Sequence, residues 1–190
     1  IIYSVNRLTS LLCQKTSKTN RQEMDFENLK NKKIKDVSKL IEKGRVCPEE
    51  LTHFYLEKIS SDPRAKDIFT EVFKRSALDT AVESKKRAKA GLRKGALDGI
   101  PISVKDLADI KGELTAGGSS LTNKKKAENN AVFVDDLKSQ GLIILGKTHM
   151  TELAFSGLGL NPITATPANP LNDQLVSGGS SSGSAVSVSR

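Results

Sequence analysis

The segments LDGIPISVKDLADIKG, residues 97–112, and AVFVDDLKSQGLIILGKTHM, residues 131–150, set the fold class. In the first, Ile100, Ile102 and Val104 read as a short apolar strand entered through Gly99 and Pro101. In the second, residues 131–140 carry a helical pattern stopped by Gly141. Residues 142–145 are a continuous aliphatic run bounded by Gly146, the signature of a strand buried on both faces. Strand, helix and strand in alternation predict an α/β domain with a parallel or mixed sheet flanked by helices. In such sheets sites form where strands end and loops begin. Lys105 follows the first strand directly, and residues 147–152 follow the second.

Upstream the pattern is helical. Ile34, Val37, Leu40 and Ile41 share one face ahead of Gly44. Pro48 suits a first helical position, with Leu51, Phe54, Tyr55 and Ile59 as the apolar side. A third helix is expected over residues 77–90, with Lys85, Lys86 and Arg87 pointing outward. This run and the lysines of residues 30–35 read as solvated helix faces, without the aromatics on which single-stranded nucleic acid stacks. The organisation expected is a leader or spurious upstream segment at 1–24, a helical part at 25–95, and the start of a catalytic core at 96–190.

Composition narrows the function classes. The chain has 190 residues, 37% hydrophobic and 27% charged, which is enough for a packed core and argues against disorder. No run approaches the roughly 18 apolar residues of a membrane span. Cys13 and Cys47 make no disulfide framework, and His53 and His149 offer little for a metal. A reducing, cytoplasmic setting is the simplest reading. Residues 1–22 hold Arg7, Lys15, Lys18 and Arg21 and no acid, so import into an organelle follows if they are a genuine leader. The alternative start is Met24. The net charge of +8 invites a nucleic-acid partner. Its distribution opposes one: residues 1–95 carry 22 basic and 13 acidic residues, residues 96–190 carry 8 and 9. The chemistry-bearing half is neutral.

Two features carry chemistry. Lys105 at a strand end is either a base, because an apolar setting favours the neutral amine, or simply the partner of Asp106. The run SGGSSSGSA at 177–185 has three readings. It is a flexible linker, a phosphate cradle, or a tight loop presenting hydroxyls and N–H groups to a reacting carbonyl. It lacks the lysine of a phosphate-binding loop, and composition does not choose between the first and the third.

Three motifs in order, LDGIPISVKDLADIKG, GLIILGKTHMTELAFSGLG and VSGGSSSGSAVSVS, closely resemble the amidase signature family over residues 34–190. The resemblance implies an α/β fold with a mixed sheet, only its N-terminal part present here. It implies cleavage of amide C–N bonds by a Ser–Ser–Lys triad, with no cofactor and no metal. Lys105 matches the family's lysine, and Ser180 the bridging serine whose peptide bond is cis. The nucleophilic serine is expected about two dozen residues beyond Arg190, so residues 1–190 would be inactive alone. Gly178, Gly179, Ser181, Ser184 and Asp106 are implied as structural supports, and Thr151, Ala154 and Phe155 as lining the acyl side. Ser182 and Thr151 depart from the wording usual in the glutamine-hydrolysing A subunit of the tRNA-dependent glutamine amidotransferase, which favours a stand-alone amidase. The expected partner is a small-molecule amide, with a homodimer or, in the amidotransferase alternative, partner subunits. No direct contact with nucleic acid or membrane is expected. The alternative from another class is a non-enzymatic basic binding fragment.

Overall fold

The computed structural model describes residues 26–122 and 125–190. The expectations placed on residues 1–24 lie outside the described residues. A 3-10 turn, Phe26–Leu29, leads into α1 (Ile34–Glu42) and α2 (Pro48–Ser61). Val37 and Ile41, one turn apart, face inward from α1, and Pro48 opens α2 with Glu49 and Glu50 in its first turn. Leu29, Val37, Ile41, Val46, Leu51 and Ile100 close a first apolar cluster, while Phe26 stacks on Phe54 at 5.5 Å. The described helices include none long and apolar enough to cross a membrane.

The short helix α3 (Ala65–Ile68) runs into β1 (Phe69–Val72), and α4 (Lys74–Ala90) follows. Then come β2 (Pro101–Lys105), α5 (Val132–Ser139), β3 (Ile143–Thr148), a 3-10 turn at Glu152–Ala154 and α6 (Ser182–Ser189). The strands form one sheet in the order β1-β3-β2, with β3 antiparallel to β1 and parallel to β2. The sheet is therefore mixed and flanked by helices, as the alternation of elements anticipated. Every residue of β3 is buried, which accounts for its unbroken aliphatic start. Strand β1 was not anticipated: FTEV is four residues long with three exposed, too short for alternation to register.

Side-chain alternation assigns the two faces. Ile143 and Leu145 pack with Leu56, Ala77 and Ala81 from α2 and α4. Ile144 and Val104 pack with Phe73, Ala108, Ile110 and Val134 on the other side. Between Ile102–Ile144 and Ser103–Gly146 the register shifts by one residue. That bulge reverses the alternation of β3, so Lys147 shares a face with Val104, and Thr148 shares the opposite face with Lys105. Gly146 is required at the bulge, because a Cβ there would collide with the Glu71 carbonyl oxygen of β1.

One surface expectation is corrected. Of the run Lys85, Lys86, Arg87, only Lys86 is exposed. Lys85 pairs with Glu49, and Arg87 reaches the fully buried carboxylate of Asp98. The chain turns back at Gly91 and brings Asp98 under α4, a long-range contact that helical periodicity does not encode.

Candidate active site

Strand β2 ends at Lys105 on the face where α6 packs. The α6 helix is seated by three contacts. Thr148 and Ser184 share a hydroxyl–hydroxyl hydrogen bond of 2.7 Å, as do Ser103 and Ser187 at 3.1 Å. The Gly183 N–H donates to the His149 carbonyl at 2.9 Å. Gly183 tolerates no side chain, since a Cβ would stand 2.5 Å from the Ile68 carbonyl oxygen and 2.7 Å from the His149 nitrogen. The glycine–serine run is thus the entry to a packed helix, not a linker.

Ahead of α6 the peptide bond Gly179–Ser180 is cis, and Gly178 has φ +75°. The Ser180 carbonyl accepts the Thr151 N–H at 3.1 Å, and the Gly179 N–H donates to the Gly157 carbonyl at 2.8 Å. Held from both sides, Ser180 places its Oγ 2.6 Å from Lys105 Nζ. Lys105 is half-buried, and burial lowers its pKa below the ordinary lysine value. As an ammonium it donates to Ser180 Oγ. As a neutral amine its lone pair can accept the Ser180 proton across the same contact.

The alternative in which Lys105 pairs with Asp106 is not what the structure shows. Asp106 is buried and turned to the other face of the sheet, where Oδ1 lies 2.8 Å from Lys147 Nζ. Oδ2 accepts the Ala116 N–H at 3.3 Å. Lys147 also donates to the Leu114 carbonyl and to Thr115 Oγ1, so its three protons have three acceptors. Among the described residues no carboxylate is paired with Lys105.

The remaining residues named from sequence lie in the turn that follows β3 and at the entry to α6. Thr151 is buried, and its hydroxyl donates to the Ser156 carbonyl; its backbone holds Ser180. Leu153 and Ala154 both take left-handed backbone conformations, φ +47° and +60°, a costly arrangement for two non-glycine residues in succession. The Leu153 N–H donates to Gly117, and Glu152 accepts the Ser119 hydroxyl at 2.7 Å, which fixes the turn. Ala154 is half-buried and Phe155 is 96% exposed. Ser181 precedes α6, and its carbonyl accepts the Ala185 N–H. Ser182 is fully buried with its hydroxyl unpartnered.

Sequence reasoning missed Lys147 and Asn161. The side-chain amide of Asn161 donates to the carbonyls of Gly118 and Met150 and accepts the N–H groups of Ile163 and Thr164. A lysine interrupting a buried aliphatic strand was the available signal for Lys147; for Asn161 there was none. Among the described residues no group of acidic, histidine and cysteine side chains is arranged to hold a metal.

Residues 50–190 match the family profile described as Amidase. The A-type subunit of the glutamyl-tRNA(Gln) amidotransferase of Endomicrobium trichonymphae is 32% identical over 158 residues, covering 83% of this chain and 32% of that protein. Its counterpart in Streptococcus pneumoniae (strain JJA) is 35% identical over 159 residues, again 83% and 32%. The chain spans about a third of the length of these curated relatives. Among solved structures, the peptide amidase of Stenotrophomonas maltophilia superposes with a TM-score of 0.73 at 26% identity, covering 82% of this chain and 33% of that one. A crystal structure described as an amidase gives 0.74 at 30%, with 83% and 36% covered. The profile covers well over half of the residues and the chain superposes on solved amidases over more than four-fifths of its length, so the chain belongs to the amidase family.

Proposed function

We propose that this chain carries the base and the proton relay of an enzyme that hydrolyses the C–N bond of a small amide. The observation behind the reading is the 2.6 Å contact between Lys105 Nζ and Ser180 Oγ, with burial favouring the neutral amine. Neutral Lys105 takes the Ser180 proton while Ser180 takes that of a nucleophilic serine, expected from the family resemblance in chain beyond Arg190. The serine oxygen then bonds to the amide carbon. The proton returns along the same path to the departing nitrogen as the C–N bond breaks. Water releases the acyl group by the same base catalysis. Thr151, Ala154 and Phe155 belong to the acyl side, Thr151 through its hold on Ser180 and Phe155 through its open ring. Gly178, Gly179, Ser181, Ser184 and Asp106 are supports of the two reacting side chains. A cytoplasmic setting goes with this reading.

A second reading has one observation in its favour: curated relatives at 32–35% identity are components of glutamyl-tRNA(Gln) amidotransferases. In that case the amide is glutamine, and partner subunits receive the ammonia. Thr151 and Ser182, which depart from the usual wording of that component, favour the stand-alone amidase. Ammonia release by the full-length protein from glutamine and from small aliphatic and aromatic amides, with and without partner subunits, separates the two. The amidase reading expects turnover of a small amide by the protein alone, reduced about 10²–10⁴-fold by Ser180→Ala. Undiminished turnover in that variant ends the reading. Glutamine hydrolysis that appears only with partner subunits transfers it to the amidotransferase.

A further inference from the structure

Lys105 and Asp106 are neighbours in sequence, yet the pleat of β2 sends them to opposite faces. In register, Val104 stands opposite Lys147 and Lys105 opposite Thr148. The buried pair Lys147–Asp106 therefore lies directly behind Lys105, through one thickness of sheet. Both side chains are almost wholly enclosed, 1% and 4% exposed. Such a pair contributes little net stability compared with an apolar pair of the same shape. What it does supply is a carboxylate beside Lys105 whose charge is cancelled.

We propose that Lys147 is a positioning residue that acts through Asp106: by neutralising that carboxylate it keeps Lys105 free to lose its proton to the medium and serve as a base. The proposal rests on the reading of Lys105 as the base in what it means for catalysis, but the titration of Lys105 itself is measurable without it. Glu71 on β1 is raised by burial first and by Glu113, and it feels Lys147 and Asp106 with opposite signs. Lys126 lowers it, and His149 at the end of β3 feels Asp106. On the other face, Lys105 meets the hydroxyl of Ser180 beside the hydroxyls of Ser103, Thr148 and Ser184. Burial is what lowers the Lys105 pKa.

The two partners give opposite expectations. Lys147→Met leaves a buried carboxylate uncompensated, which favours the Lys105 ammonium. Asp106→Asn keeps the shape and leaves the Lys147 ammonium uncompensated, which favours the neutral Lys105 amine. The experiment is competitive trace labelling of Lys105 with acetic anhydride across pH, read by peptide mass spectrometry on the full-length protein. The labelling midpoint should rise by about one pH unit in Lys147→Met and fall by a similar amount in Asp106→Asn. The double variant should return close to the wild type. A merely structural role predicts something else: loosening rehydrates Lys105, so both single variants move the midpoint upward. Unchanged midpoints, or a shift of the same sign in both, overturn the proposal. If Lys147→Met does not fold, the isosteric Asp106→Asn decides alone, by the direction of its shift. Opposite shifts together with full turnover by a Lys105 variant would leave this inference standing and remove only the catalytic reading.

Discussion

Replacing Arg87 with methionine removes one partner of a fully buried carboxylate and leaves the other in place. Asp98 accepts four hydrogen bonds: from Arg87 Nε at 2.8 Å, Arg87 Nη2 at 2.7 Å, Ser84 Oγ at 2.8 Å and the Lys94 N–H at 2.9 Å. Methionine keeps most of the packing of the arginine stem and eliminates the two charged donors. Breaking a buried pair from one side costs about 3–5 kcal/mol. Because Arg87 keeps 25% of its side chain in solvent, the lower end applies, about 3 kcal/mol at pH 7. The pH dependence adds a second check. Burial pushes the Asp98 pKa up, but the Arg87 hydrogen bonds, then those of Lys94 and Ser84, outweigh it and leave the group below its ordinary value. Its stabilisation is therefore full above the unfolded pKa of about 3.9 and is lost as pH falls through the lower folded value. Without Arg87, burial remains while the two charged hydrogen bonds and the nearby charge are gone, so the folded pKa rises from its wild-type position. The penalty of the variant is then present at pH 7 and relieved on acidification. Urea denaturation at pH 7 and near pH 4.5 should show the deficit shrinking at the lower pH, and Asp98→Asn in the same background should recover much of it. A deficit under about 1 kcal/mol at pH 7, or one equal at both pH values, would refute the reasoning.

Gly183→Ala should destabilise the protein by about 3 kcal/mol, because its new methyl group meets backbone atoms of Ile68 and His149 that have no room to yield. It should also reduce turnover by displacing Ser180; a thermal melt and an activity assay read both. His149 is shifted below its ordinary pKa, chiefly by burial, with Nε2 donating to the Lys66 carbonyl and Nδ1 enclosed without a partner. A depressed histidine contributes stability that is lost as pH falls from about 6.5 through the folded value. The melting temperature should therefore decline over that window, and His149→Gln should flatten the decline.

The sequence carried the strands β2 and β3 plainly, because a strand buried on both faces has to be aliphatic and has to be bounded by residues that turn the chain. It also carried Lys105 and the serine run, through their motif wording. The residues that seat them were less visible. The short strand β1 is mostly exposed and has no periodicity to read. Arg87 looked like one more surface cation, because its partner Asp98 arrives from a turn eleven residues on. Asp106 beside Lys105 looked like an obvious partner in one dimension, whereas the pleat separates the two. The bulge at Gly146 decides which face Lys147 occupies, and a bulge leaves no trace in composition beyond the glycine itself.

The most direct test of the account is the pH dependence of amide turnover by the full-length protein, compared between wild type and Lys105→Ala. Lys105 acting as a neutral base toward Ser180 predicts an acid limb with a midpoint below the ordinary lysine value of about 10.4, since burial already favours the uncharged amine. It also predicts that Lys105→Ala, with its fold intact, loses activity by about 10²-fold or more and loses that limb with it. Activity that survives in Lys105→Ala with the same limb would contradict the account at its centre.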